Sequence, residues 1–390
     1  MSSSIHGKLV VLGITLLIIS ACGGNGMAPS NAFNTSKTSI QGSNADSSGA
    51  APTDTTSILK LLKKDVEIGS TVDPKNGDMG PRALSLVPAN FGLKKGQVLV
   101  CNFDDSAGTA GKGTTIEVLD PDPNSKPVTF TQSTKIEGCD GDAITAGNDV
   151  YGAGLVGGLV SEFTQTGKFK KSYGSPIEVP FADADAFCGE LYAPDDLYVG
   201  DSKTGAIIKL AFPVSSSAHA QVIQVISGFG INKGSGWSVL GPSGMQYDSK
   251  KTGSRCNDTL YIVDGVDNTV IAVSNASNLL LKDEIIVQPG GKTFKCAHAK
   301  RTCATLVYSG SPLNAPVASA LLPNGNLIVA NTGNNRLVEM TPTGKVLDTK
   351  VVDKSKTPGI FGLAAIGTKD SNTALFYTDT NTNTLHELEQ

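Results

Sequence analysis

Charge is scarce in this chain. Only 17% of its 390 residues are Asp, Glu, Lys or Arg, and the formal net charge is −4, whereas an ordinary soluble protein is ~25% charged. With no basic block, a nucleic-acid partner is not expected. Aromatic residues make up 6%, with one Trp, and there are four His. No HExxH, GxSxG or CxxC occurs, so the usual signatures of zinc proteases, serine-elbow hydrolases, zinc ribbons and haem attachment are missing. What is plentiful is glycine, 44 residues, with 19 Pro and 39% hydrophobic residues. That balance rules out wholesale disorder and suits many turns and short strands. Length alone suggests two or more domains, an inference that repeat folds and barrels break.

The amino terminus reads as an export signal. Lys8 precedes the apolar run Leu9 to Ile19, which is too short to span a bilayer stably. The quartet Ile19-Ser20-Ala21-Cys22 resembles a bacterial lipobox. That resemblance implies cleavage before Cys22 and lipidation of its thiol, palmitate included. Gly23 in place of Asp implies no inner-membrane retention, hence an outer-membrane lipoprotein facing the periplasm or the cell surface. Residues 23–57 are Ser, Thr, Asn, Ala and Gly with little apolar content, a composition that cannot offset its ordering entropy. They read as a tether of roughly 30 Å r.m.s. reach. The organisation expected is therefore signal peptide 1–22, tether 23–57 and a folded domain over 58–390.

Setting Cys22 aside leaves Cys101, Cys139, Cys188, Cys256, Cys296 and Cys303. An even count in an exported chain favours disulfides, and six cysteines allow 15 pairings.

The domain repeats itself. Apolar runs end in Asp or Asn, pass through a Gly/Asn/Thr turn and resume as a second apolar alternation, as in Asp196 to Leu210, Thr259 to Val273, Asn326 to Met340 and Ala374 to Leu388. Two weaker copies run from Gln97 to Leu119 and from Asp149 to Phe163. The turn-opening positions are Asn102, Gly154, Asp201, Asp264, Asn331 and Asp379, spaced by 52, 47, 63, 67 and 48 residues. Two hairpin strands per unit at such periods indicate a β-propeller. The Asx side chain is expected to accept hydrogen bonds from turn amides two or three residues on. A further short strand upstream and another downstream complete four strands per unit. The last unit stops after its third strand, leaving an open edge that aggregates unless covered. Leu59 to Val72 is apolar enough to supply the missing strand.

The segment Pro312 to Leu347, with its Gly325 to Val329 strand and Asn334-Asn335-Arg336 turn, resembles an NHL repeat, and Gly241 to Val273 is the next best match. The resemblance implies an all-β, six-bladed β-propeller of four-stranded antiparallel blades over roughly 58–390. Within that register Cys101 and Cys139 share one face, Cys188 and Cys256 share the other, and Cys296 and Cys303 sit in one long excursion. The expected pairs are 101–139, 188–256 and 296–303.

Several motifs imitate chemistry without its context. Gly152, Gly154 and Gly157 match GxGxxG, but a strand pattern follows where a dinucleotide site needs a helix. The 103–113 segment has Ser106 where a P-loop has Gly, and Asp120, Asp122 and Asn124 lack the Gly and Glu of a calcium loop. No catalytic residue, metal ligand or cofactor is assigned. The expected rim of the ring gathers Asp104, Asp105, Trp237, His298 and Arg301 as contact residues. The first expectation is thus a monomeric, non-catalytic binding module, anchored to the membrane by lipid, for a protein, peptide or glycan outside the cytoplasm. The alternative is a lactonase- or lyase-like propeller enzyme with one axial divalent cation. Glu137-Gly138 faintly resembles the Glu-Gly-Pro of gluconolactonase-type propellers, which would nominate Glu137, Asn148, Asp201 and Asp264 as ligands.

Overall fold

A computed structural model describes residues 55–178, 180–186, 196–212, 220–231, 240–252 and 255–390. The signal peptide, Cys22, Trp237, Cys188 and most of the tether therefore lie outside the described residues. Among those described, helix is limited to three short 3-10 turns, and strands form six sheets with an inner-to-outer order that repeats around a ring. The innermost strands are Met79–Leu86, Cys139–Ile144, Pro180–Ala186, Pro242–Thr252, Pro316–Leu321 and Ile360–Ile366, and each packs against the next until the last meets the first. The fold is a six-bladed, all-β propeller. The third blade carries two extra outer strands, Ile285–Val287 and Phe294–Cys296.

Blade stacking explains why hydrophobic residues fill both faces of the middle strands. Thr115–Leu119 and Leu327–Asn331 are buried at every position. Along Val98–Asp104, Val100 meets Phe376 and Leu385 of the sixth blade, whereas Leu99 meets Val150 and Phe163 of the second. An apolar cluster of this kind fills every one of the six blade interfaces. Low charge follows directly, because a face sandwiched between sheets has no water for an unpaired ion.

The turn-opening residues split by chemistry. Asp201 Oδ1 accepts from the Lys203 and Thr204 amides at 3.1 and 2.9 Å, and Asp264 and Asp379 accept from Val266 and Asn381 at 2.9 and 2.8 Å. Asn102 and Asn331 instead donate, to the carbonyls of Thr71 and Pro312 at 2.9 and 2.8 Å. An amide offers a donor that a carboxylate lacks, so asparagine ties down the segment that enters its own blade. Gly154 serves the same junction without a side chain: a Cβ there would lie 2.9 Å from Ile136 Cα, because the entry turn Thr134–Ile136 packs directly on the backbone.

Two disulfides fall among the described side chains, Cys101–Cys139 joining the first and second blades and Cys296–Cys303 closing the excursion after the fourth blade's third strand. The expected 188–256 pair lies outside the described residues.

The ring is closed by the amino-terminal strand. Lys64–Ser70 pairs antiparallel with Thr384–Glu389, the third strand of the last blade. Ahead of it Ile58, Leu59 and Leu62 are fully buried between the fifth and sixth blades. Glu339 holds this plug: its carboxylate accepts from the Ile58 and Leu59 amides at 3.2 and 2.8 Å, the Ser57 hydroxyl at 2.7 Å and the Asn326 amide at 3.2 Å. After the strand, the chain crosses to the first blade over Glu117, a carboxyl with no exposure that lies within hydrogen-bonding reach of Asp73. Burial, then the adjacent Asp73, pushes Glu117 up to about 9. Burial opposes the charge on Asp73 as well, but hydrogen bonding from Glu117, the Thr129 hydroxyl and the Asn76 and Lys75 amides outweighs it and lowers its pKa.

Glu339→Ala should lower stability by about 3 kcal/mol, since it strands buried amides. The check is urea unfolding, with proteolysis inside 57–70 appearing at the same time; unchanged protection would refute the clamp. Glu117 binds a proton more tightly folded than unfolded, so stability should fall as pH rises from about 4.5 towards about 9 and level off above. Glu117→Gln mimics the protonated form. Its advantage over the native chain should be small at pH 5 and grow by pH 8, read from urea midpoints.

Candidate functional site on the ring axis

The axis is built by a defect repeated in every blade. Each innermost strand pairs a residue at or near its start with the turn-opening position: Pro81 with Asn102, Cys139 with Gly154, Pro180 with Asp201, Pro242 with Asp264, Pro316 with Asn331 and Ile360 with Asp379. Within the next few residues every ladder loses register. Such bulges re-aim side chains, and here Arg82, Asp140, Val317 and Phe361 line the central cavity. The small residues beside them let the strands crowd together. A Cβ on Gly244 would sit 2.9 Å from Ala318 Cα, and one on Gly362 would sit 2.9 Å from Leu84 Cβ.

Three cavities sharing lining residues follow the axis. The upper mouth, on the side of the blade turns, encloses about 450 Å³ between Arg82, Asp104, Leu240, Thr332 and Phe361. The waist encloses about 80 Å³ beside Arg82, Asp140 and Asp142. The lower mouth encloses about 290 Å³ beside Asp142, Met245 and Leu321. Asp183 occupies in the third blade the backbone register position that Asp142 holds in the second, each paired with the residue two before the turn-opening position, Val199 and Gly152.

Arg82 is the anchor of the upper half. Its guanidinium carbon lies 3.6 Å from the Phe103 ring centre and 4.6 Å from that of Phe361, and Nη1 is 3.3 Å from Asp140 Oδ1. Two aromatic faces and one carboxylate hold the cation in a single orientation. Burial pushes Asp140 up to about 6 despite the pull of Arg82, and burial likewise raises Asp104. Asp142 is pushed up to about 7 by burial, against the hydrogen bond from Ser85. Asp104 Oδ1, Asp140 Oδ2 and Asp142 Oδ2 are buried oxygens without a hydrogen-bond partner.

Of the expected rim residues that are described, only Asp104 lines an axial cavity. Asp105 is half-buried and shapes its own turn, accepting from the Ala107 and Thr109 amides at 3.0 and 2.8 Å. His298 and Arg301 both engage the buried carboxylate of Glu284. Their loop runs into Cys303, which pairs with Ser274, whereas the turn end of that strand is Thr269 paired with Ser309. The loop therefore lies at the opposite end of the blade from the turns. The nominated cation ligands stand apart: Glu137 pairs with Lys112 at 2.6 Å, Asn148 donates to the carbonyls of Ala89 and Phe91, and Asp201 and Asp264 sit in separate turns. Among the described residues no three His, Cys, Asp or Glu converge on a point that could hold a metal ion. Sequence reasoning passed over Arg82, Asp140, Asp142 and Phe361. Their signal was charge or a large ring at the bulged positions of innermost strands, visible only once those strands are aligned on their first residues.

Arg82→Ala would leave Asp140 as an unpaired buried charge, a loss of about 3–5 kcal/mol. Adding Asp140→Asn should return a large part of it. Additive losses in a double-mutant cycle, measured by urea unfolding, would show that the pair is not coupled.

No protein-family model and no curated protein matches this chain. Solved structures do. A streptogramin B lyase matches at 15% identity over 84% of this chain and 87% of its own, with a TM-score of 0.46. Virginiamycin B lyase from Staphylococcus aureus matches at 12% over 84% and 98%, with a TM-score of 0.46. A provisionally assigned gluconolactonase matches at 11% over 85% and 94%, with a TM-score of 0.48. The propeller assignment rests on the six sheets of this chain itself.

Proposed function

We propose that this protein is a lipid-anchored, extracytoplasmic binding module, NHL-like in its repeat, whose upper mouth receives a projecting group of a protein, peptide or glycan. The observation that carries this reading is the cavity over Arg82. A guanidinium fixed between Phe103 and Phe361, with hydroxyls of Thr332 and Thr380 at the wall, offers a rigid polar floor and an aromatic edge. Rigid anchors of this kind concentrate binding energy because little entropy is lost on contact. Arg82 is ion-paired with Asp140, which suits recognition rather than proton transfer. The two disulfides suit an oxidising compartment, and the Cys22 lipobox with its tether supplies the anchor.

With the chain from Gly23 onward, Phe361→Ala should reduce capture on peptide and glycan arrays by about tenfold while leaving circular dichroism intact. Equal capture would remove the upper mouth from the reading, and cation-dependent lactone hydrolysis would overturn the non-catalytic assignment. In cells, Cys22→Ala should abolish labelling by radioactive palmitate and release the protein from membranes.

A further inference from the structure

The end of the ring opposite the blade turns presents exposed aromatic rings among lysines. Two segments build this face. The 87–97 connection, which joins the first two strands of the first blade at that end, holds Phe91 at 58% exposure beside exposed Lys94 and Lys95. The 164–168 turn, at the same end of the second blade, leads into Phe169 at 48% exposure, with exposed Lys168 before it. The segments are in contact, since a Cβ on Gly92 would lie 2.6 Å from Gln165 Cγ. Both rings are presented by fixed structure. Fully buried Asn148 donates to the carbonyls of Ala89 and Phe91 at 2.7 and 2.8 Å, Asn90 Oδ1 accepts from the Lys95 amide at 2.8 Å, and the Phe169 ring stands edge-on to buried Phe163. Groups held this way lose little entropy when they enter an apolar phase.

The charge beside the rings is free to act on a partner. Lys170 and Lys171 are engaged by Asp149 and Glu162, but Lys94, Lys95 and Lys168 make no ion pair among the described residues. Asp120, Asp122 and Lys126 on the neighbouring connection leave the face positive, on a chain whose net charge is −4. Position then selects the occupant. The Ile58 and Leu59 amides rest on Glu339 close to the Leu321–Leu327 and Met340–Val346 pairs, the end of the fifth blade away from its Asn331 turn. The segment read as a membrane tether therefore joins the domain on this side. Aromatic rings beside lysines are the pairing that a bilayer interface takes up, rings among the upper acyl chains and ammonium groups at the phosphates. We propose that this face rests on an anionic phospholipid surface, Phe91 and Phe169 entering the interface and Lys94, Lys95 and Lys168 meeting phosphate groups, so that the upper mouth opens away from the membrane. The proposal takes the anchored end of the chain from the reading above, whereas the lipid contact stands on the face alone.

The test reconstitutes the full chain in phosphatidylcholine vesicles with and without phosphatidylglycerol, collects the floated fraction and follows lysine acetylation by mass spectrometry. With the anionic lipid, Lys94, Lys95 and Lys168 should react on the order of fivefold more slowly than without it, and high salt should remove the difference. Lys75 and Lys356, exposed at the turn end of the ring, should react equally in both. Phe91→Ser combined with Phe169→Ser should restore fast acetylation at all three sites, and Lys168→Glu should restore it at Lys94 and Lys95. Floated protein with equal rates in both vesicles would overturn the lipid contact and leave the anchor standing, whereas protein that floats with neither would overturn both. Equally slow acetylation in detergent without lipid would show that a second copy of the chain covers the face, and that too would overturn the proposal.

Discussion

Six residue pairs between Lys64–Ser70 and Thr384–Glu389 turn a row of sheets into a ring. Without them the sixth blade would present a bare edge, and the first and last innermost strands would have nothing to keep them adjacent. The closing strand is reinforced from both sides. Tyr377 donates to Asp65 Oδ2 at 2.7 Å while His386 stacks on Tyr377 and lies 3.1 Å from Asp65 Oδ1. Upstream, the Ile58, Leu59 and Leu62 plug brings apolar burial to the same seam. Closure joins residues more than 300 positions apart, so its loop entropy is met only when all blades have formed.

Once the ring is shut, geometry at the axis is no longer free. Six strands converge, and their backbones approach closely only where side chains are small, as at Gly244 and Gly362. The bulges then decide which side chains enter the central space. The fourth, fifth and sixth blades give it a largely small or apolar lining; the first and second blades supply Arg82, Asp140 and Asp142. Among the described residues, charge at the centre therefore comes from two adjacent blades joined by the Cys101–Cys139 bridge. That bridge spans the two blades that carry the ion pair, which couples the covalent staple to the site.

The blade count, the four-strand unit and the closing strand were legible in the sequence because they rest on local signals: period-two alternation, turn residues and an apolar stretch ahead of the first repeat. The Asp and Asn positions were found as one class, yet Asp201 accepts from turn amides while Asn331 donates to Pro312. A hydrogen-bond partner nineteen residues away leaves no local trace. The axial residues were hidden for a related reason. Met79–Leu86 and Cys139–Ile144 read as ordinary strands with a few polar positions, and only the register breaks separate a side chain facing the axis from one facing a neighbouring blade. His298 and Arg301 show the reverse error: a basic cluster in a long loop suggested a rim, but their partner is the buried Glu284.

Arg82 also divides the axis into chemically different halves. Above it the cation is balanced by Asp140 and flanked by Phe103 and Phe361, so the upper mouth presents paired charge beside aromatic surface. Below it the lower mouth has Asp142 but no Lys, Arg or His among its described lining residues. The waist of about 80 Å³ between them is smaller than either mouth, so a molecule that fills one end does not fill the other. Among the described residues, Arg82 and Asp140 thus place paired charge at the waist, while Asp142 carries the charge of the lower mouth.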